Sequence, residues 1–292
     1  RELTATLHPD VLTLDVEMPG MSGLEYLAEV METRPMPVIM FSTRTQAGAA
    51  DSVEALRLGA IDCFPKPKVA TPAELDKIIA KLSKRIKAAK KAELKPAAQA
   101  APAASPPIDW NGRLLAIGGD ASNTKGLFEL FAGFPQNCPP TIVVQHLGAG
   151  LGESMVEKLA QQVAPKVVLA GDGMALEQGT IYLAPPGDAH VVVDAWPNGH
   201  LRLLPRDPVA GERPSISVLF ASVAKANAAD AVGVLLTPDS EDGSAGMNAL
   251  IGAGAYGVTP AAEGGFTLAR KMVTQPLPSA DLRRAVLKLC SK

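Results

Sequence analysis

Three polar residues of this 292-residue chain stand where apolar runs end. Asp15 comes at the end of the run beginning at Val11, Ser42 closes PVIMFS, and Lys66 follows IDCF within FPKP. In an open parallel sheet, ligand chemistry gathers at the carboxyl ends of the strands. An acid, a hydroxyl and a lysine at three successive strand ends suit one anionic pocket. There the carboxylate would be phosphorylated, and the lysine and hydroxyl would hold the phosphoryl oxygens. Each residue alone reads as an ordinary polar strand end. Their order, together with MPGMSG after Asp15 and KP at the last end, favours the chemical reading. The Lys66–Pro67 bond is a candidate for cis.

The elements that must place these residues follow from local pattern. VLTLDV and PVIMFS read as buried strands and IDCFPKP as a third, short one. GLEYLAEVMETR, starting near Ser22, and AADSVEALRLGA read as helices between them. TPAELDKIIAKLSKRIKAA reads as a helix with Thr71 as N-cap and Glu74 completing a capping box. From Lys84 the composition shifts to a Lys/Ala helix tail and then an Ala/Pro stretch through about Trp110, expected to be a mobile linker. Beyond it RLLAIGG, TIVVQH, AVGVLLT and YGVTPAA read as strands, with TIYLAPP, HVVVDAW and HLRLLPRD as shorter, partly antiparallel ones. TKGLFELFAGFP, ESMVEKLAQQVA, SISVLFASVAKANAA and AGMNALIGAGA read as helices. Continuous apolar strands alternating with helices predict α/β architecture: two doubly wound parallel-sheet domains, the second with a small β insertion. The expected boundaries are a first domain over 1–85, a helix tail and linker over 86–112, and a second domain over 113–292.

Composition narrows the class. Hydrophobic residues make up 47% and charged residues 20%, enough apolar material for sizeable cores. The net charge of −2 comes without a long single-sign block, which argues against a nucleic-acid partner. No apolar run is long enough for a membrane span, so no membrane insertion is expected. Cys63, Cys138 and Cys290 form no CxxC pair, which suits a reducing, cytoplasmic setting. Cys63 reads as a small buried residue and Cys290 as exposed. His8 and His200 read as surface residues, and His190 as a local packing or binding residue.

DVEMPGMSGLEYL, PVIMFST and FPKPK resemble a response-regulator receiver, a flavodoxin-like fold, and in particular that of the CheB chemotaxis methylesterases. The resemblance implies Asp15 as phosphoacceptor, Ser42 as switch hydroxyl and Lys66 as phosphate-binding lysine. It also implies Mg²⁺, with Asp15 as part of its site, and a chemotaxis histidine kinase as phosphodonor. Receivers open with a strand ending in two acids that hold the metal. RELTATLHPD matches only the tail of the helix that follows it. The expectation is therefore a receiver without its first strand: either the sequence is clipped or this receiver is not phosphorylated normally.

RLLAIGG, TIVVQHL, GTIYLAPPGDAHVVV, ERPSISVLF, AVGVLLT and EDGSAGM resemble, in order, the Rossmann-like esterase domain of the same family. That family hydrolyses methyl esters on glutamates of methyl-accepting chemoreceptors, with a serine, a histidine and an aspartate. Carried over by position, the histidine is His146 and the aspartate Asp242. The serine position falls on Asp120, in IGGDASNT, so the nucleophilic hydroxyl is missing there. The two glycines that follow in the family are Ser122 and Asn123 here. The loop that supplies donors to the oxyanion reads LTPDSED, with Pro238 and Asp239 for Gly and Met. Proline lacks an N–H, and losing one such donor costs roughly 3–4 kcal/mol of transition-state stabilisation.

Three readings of this pocket stay open. One is an impaired or inactive methylesterase, a pseudoenzyme that serves as a non-catalytic scaffold binding receptor or kinase. The second is an active esterase using Ser122, although serine at a helix start more often reads as an N-cap. The third is a metal site of Asp120, His146 and Asp242 with Asp239 and Glu241 nearby; for the esterase reading itself no cofactor is expected.

Overall fold

The computed structural model describes all residues except 44, 67–70, 91–104, 149, 238–240, 263 and 272. The chain divides into two compact units, residues 1–99 and 100–292.

The first unit contains α1 (Glu2–Leu7), β1 (Leu12–Asp15), α2 (Gly23–Thr33), β2 (Val38–Ser42), α3 (Gln46–Leu58), β3 (Asp62–Pro65) and α4 (Pro72–Ala89). The strands form a parallel sheet in the order β1-β2-β3. Local signals start the helices. The Ser22 hydroxyl accepts from the Glu25 amide while Glu25 reaches back to the Ser22 amide, and Thr71 and Glu74 repeat this box at α4. Ile39 and Phe64 of the sheet and Ala89 of α4 form a small core, against which Ile78, Leu82 and Ile86 of α4 pack at helical spacing.

The second unit contains β4 (Leu114–Asp120), α5 (Thr124–Phe131), β5 (Thr141–His146), α6 (Gly152–Ala160), β6 (Lys166–Leu169), β7 (Thr180–Leu183), β8 (His190–Val193), β9 (Leu201–Leu204), α7 (Ile216–Asn227), β10 (Ala231–Leu235), α8 (Ser244–Gly252), β11 (Tyr256–Pro260), β12 (Phe266–Arg270), β13 (Val273–Leu277) and α9 (Leu282–Leu289). Eight strands order as β13-β12-β11-β10-β4-β5-β7-β6, parallel from β11 to β6 and antiparallel across β11-β12-β13. β8 and β9 form a separate antiparallel pair. TIYL differs from its expected place among the short antiparallel strands: as β7 it lies parallel inside the main sheet, because its four residues are all buried and need cover on both faces. β4 is buried along its whole length but its last residue, as a central strand must be.

Both ends of the stretch expected as helix tail and linker, 86–112, are described. Helix α4 runs to Ala89, and residues 105–112 are tied to the second unit. Asn137 bonds both backbone groups of Ile108, Trp110 bridges to Ser291, and the Trp196 indole donates to the Gly112 carbonyl. The Asn111 amide donates to the Cys290 carbonyl, so the same segment covers the chain's end, and Cys290 is buried rather than exposed. Among the described residues no helix is long and apolar enough to cross a membrane.

Candidate active site

In the first unit the strand ends bring Asp15 and Lys66 together. Lys66 Nζ lies 2.7 Å from Asp15 Oδ2, and the Glu17 amide donates to Asp15 Oδ1 at 3.0 Å. Partial burial works to raise the Asp15 pKa. The Lys66 hydrogen bond and charge and the Glu17 amide outweigh it and hold the carboxyl below its ordinary range. Ser42 turns elsewhere. Its buried hydroxyl lies 2.8 Å from Ser52 Oγ of α3, which lies 2.6 Å from the Gly48 carbonyl. A carbonyl only accepts, so Ser52 donates to Gly48 and Ser42 donates to Ser52. Cys63 donates its thiol to the Ser52 carbonyl at 3.4 Å, and burial pushes that thiol up to about 12. Pro67, and with it the cis candidate, lies outside the described residues. Mg²⁺ needs several hard oxygens. Here one carboxylate is already paired with a lysine, and among the described residues no group of three or more acidic, His or Cys side chains is placed to hold a metal. These residues do not by themselves fit the ion.

In the second unit β4 and β5 are neighbours, in register with Asp120 beside His146 at their carboxyl ends. The Asp120 carboxylate turns back on its own chain. Its Oδ1 accepts from the Ser122 amide at 2.9 Å, the Ser122 hydroxyl at 2.6 Å and Asn123 Nδ2 at 3.4 Å. The cap of this short 3₁₀ turn, residues 121–123, is therefore Asp120 and not Ser122, which corrects the N-cap reading of the serine. Gln145, buried beside His146, donates to the Asp120 carbonyl and to Thr124 Oγ1. Among the described residues no hydrogen bond joins Asp120 to His146.

His146 instead meets Asp242, with Nε2 3.2 Å from Oδ2. The approach is close enough for an ion pair but poorly aligned for a hydrogen bond. On the other side of the ring, Nδ1 lies 4.0 Å from Glu212 Oε2. Burial disfavours the imidazolium. The facing Asp242, Glu212 and, least, Asp120 outweigh burial and raise the His146 pKa above its ordinary value.

Asp242 is 1% exposed and fully bonded. It accepts from Ser215 Oγ at 2.8 Å, the Ile216 amide at 2.7 Å and the Ser217 amide at 2.9 Å. Burial alone would raise its pKa. The His146 ring and the Ser215 and Ser217 donors overcome it and bring the group to about 2. The carboxylate thus sits on the N-terminus of α7, where unpaired amides and the helix dipole favour an anion. Two glycines permit the approach. A Cβ on Gly118 would lie 2.2 Å from Ile216 Cγ2, so only glycine lets the first turn of α7 rest on β4. Gly243 has φ 111° and donates its amide to Ser217 Oγ at 2.7 Å.

Glu212, Ser215 and Ser217 went unassigned in the sequence. Pro214 followed by serine at the start of an apolar-periodic run was the available signal for a helix N-terminus. Pro238 and Asp239 lie outside the described residues, and Glu241 is exposed. Among the described residues Asp120, His146 and Asp242 belong to no group able to hold a metal ion.

Comparison with known proteins bears on both units. A family model described as CheB methylesterase matches residues 115–264, and one described as response regulator receiver domain matches residues 1–80. A Caulobacter vibrioides protein-glutamate methylesterase/protein-glutamine glutaminase is 41% identical over 259 residues, which is 87% of this chain and 75% of that one. The Agrobacterium fabrum protein of the same description is 40% identical over 298 residues, 97% of this chain and 84% of that one. The crystal structure of the Thermotoga maritima CheB methylesterase catalytic domain superposes with a TM-score of 0.53 at 23% identity, covering 61% of this chain and 99% of that domain; this likeness speaks to fold alone.

Proposed function

The chain belongs to the CheB methylesterase family, with a receiver domain ahead of the esterase domain, and on that premise we propose that it is a chemotaxis response regulator whose methyl-ester hydrolysis is impaired or absent. One observation carries the reading. The carboxylate of Asp120, the residue that falls by sequence at the family's serine position, is spent on capping its own turn. Ester cleavage of this kind needs a hydroxyl whose proton a neutral histidine removes. Asp120 has no such proton. The partners of this reading are methyl-accepting chemoreceptors and a chemotaxis histidine kinase, met in the cytoplasm. What remains is a regulator that binds one or both of them, with Asp15 as phosphoacceptor beside Lys66 and with Ser42, bonded to Ser52 in this structure, as a switch hydroxyl that would have to turn to reach them.

Methanol release from methylated receptor tests this directly. The full chain is expected to release none above background. Release that survives Ser122→Ala but disappears in His146→Ala would overturn the reading. Asp120→Ser alone is expected to restore little activity, because Pro238 and Asp239 replace residues of the oxyanion loop. Substantial rescue would show that loop to be competent.

One observation favours a second reading. The exposed Ser122 hydroxyl lies 2.6 Å from a carboxylate, an arrangement that can draw off its proton. Methanol release abolished by Ser122→Ala would establish that alternative.

A further inference from the structure

We propose that His190 is a positioning residue of the His146–Asp242 site, acting through the first turn of α7. It stands at the start of β8, 2% exposed and outside the three residues assigned to chemistry. Its Nδ1 accepts from the Ser215 amide at 3.0 Å, and its Nε2 lies 2.9 Å from the Asp207 carbonyl. An amide only donates and a carbonyl only accepts. Both bonds are made together only by the neutral ring with its proton on Nε2.

The amides at the head of α7 account for the rest. A helix leaves its first N–H groups without partners inside the helix. Here each has one. The Ser215 amide goes to His190, the Ile216 and Ser217 amides go to Asp242, and the Val218 amide goes to Ser215 Oγ at 3.2 Å. Ser215 Oγ in turn donates to Asp242. Ser215 is therefore gripped by its amide from His190 while its hydroxyl and the next two amides grip Asp242. A second bond, from the Val193 amide to Ser222 Oγ at 3.0 Å, ties β8 to α7 further along. The chain of contacts runs from the Asp207 carbonyl through His190, Ser215 and Asp242 to His146. Without the His190 acceptor, the Ser215 amide is left buried and unpaired, and the turn that holds Asp242 loses its anchor.

The proposal rests on reading His146 and Asp242 as a working pair, but not on whether the chain hydrolyses esters. It is tested on the full chain by following the titration of His146 by proton NMR, with the exposed His8 and His200 as internal references. The groups facing His146 are Asp242, Glu212 and Asp120. Asn places an acceptor near the Nδ1 position; Gln reaches the Nε2 position and leaves the Ser215 amide unpaired. His190→Gln is expected to lower the His146 midpoint by about one pH unit, as Asp242 drifts and water enters between the charges. His190→Asn is expected to keep it. An unchanged midpoint in His190→Gln, or an equal fall in His190→Asn, would overturn the proposal. If neither variant folds, the wild type decides: imidazole nitrogen-15 shifts of His190 that report the proton on Nε2 support the clamp, and shifts that report it on Nδ1, where it could not accept from the Ser215 amide, refute it. Asp242→Asn separates the two levels. If it fails to lower the midpoint, the His146–Asp242 pairing itself is wrong; if it lowers the midpoint and His190→Gln does not, only the clamp is wrong.

Discussion

His146 sits where two opposing effects meet. Burial is the largest single influence and favours the neutral ring, while Asp242, Glu212 and Asp120 together favour the charged one and prevail. Its NMR midpoint is expected above 6.5, the value of the free side chain; a midpoint at or below that would mean burial wins. The sign for stability follows. A raised folded-state pKa stabilises fully below the unfolded value and loses that contribution as pH rises through the folded midpoint. Asp242 runs the other way. Its pKa falls from 3.8 to about 2, so its contribution is complete above about pH 5 and is lost as pH falls toward 2. For this buried group the difference comes to about 2 kcal/mol. Both tryptophans, Trp110 and Trp196, lie in the second unit, so urea unfolding followed by their fluorescence reads that unit. The stability gap between the wild type and Asp242→Asn is expected to shrink by about 2 kcal/mol between pH 6 and pH 2. A gap that does not vary with pH would contradict the assigned donors. Asp120, His146 and Asp242 were legible in the sequence as residues, and the resemblance implied the approach of His146 to Asp242; the donors that hold Asp242 and the bonds of Asp120 were not legible. Asp120, at the position the resemblance gives the serine, caps its own turn.

At the scale of elements, α7 is the part that makes the site. Its first turn reaches Asp242 because Gly118 leaves room for Ile216 on β4. Gly118→Ala is expected to destabilise the second unit by about 1–3 kcal/mol through overpacking, measured by the same fluorescence. A loss below about 0.5 kcal/mol would mean that α7 can withdraw without consequence. The helices of both units were largely readable because their signals are local: Ser22 with Glu25 and Thr71 with Glu74 are capping boxes written within four residues. The elements that escaped have weaker local signals. β6 is four residues long, and β13 is exposed through Val273–Pro276 with a proline inside it. β6 offers only the short run VVLA, at the lower limit by which buried strands are recognised, and β13 shows neither run nor alternation. α9 differs from these strands, because its apolar residues Leu282, Val286 and Leu287 recur at helical spacing.

At the scale of the whole molecule, the second unit has its own extensive core, to which Trp110 and Trp196 both belong. A chain beginning at Ser105 keeps the bonds that Ile108 and Asn111 make to the second unit and the packing of Trp110. A chain beginning at Arg113 loses the packing of Trp110, whose ring centroid lies 6.1 Å from that of Trp196, and the bonds of Ile108 and Asn111. It is expected to be less stable by about 2–4 kcal/mol. Equal midpoints for the two shorter chains, followed by the fluorescence of Trp196, would show that residues 105–112 add nothing. The alternation of strands and helices, the order of the two domains and the polar residues at the strand ends were determined by the sequence alone, because apolar runs and helical periods are local properties. Tertiary structure alone decided what holds the site: Glu212 beside His146, the grip of His190 on Ser215, and the seat of Asp242 on α7 some 25 residues away. Two of the Asp242 donors are backbone amides, which nearly every residue has. Such a partner leaves no mark in the sequence until the fold brings it within reach.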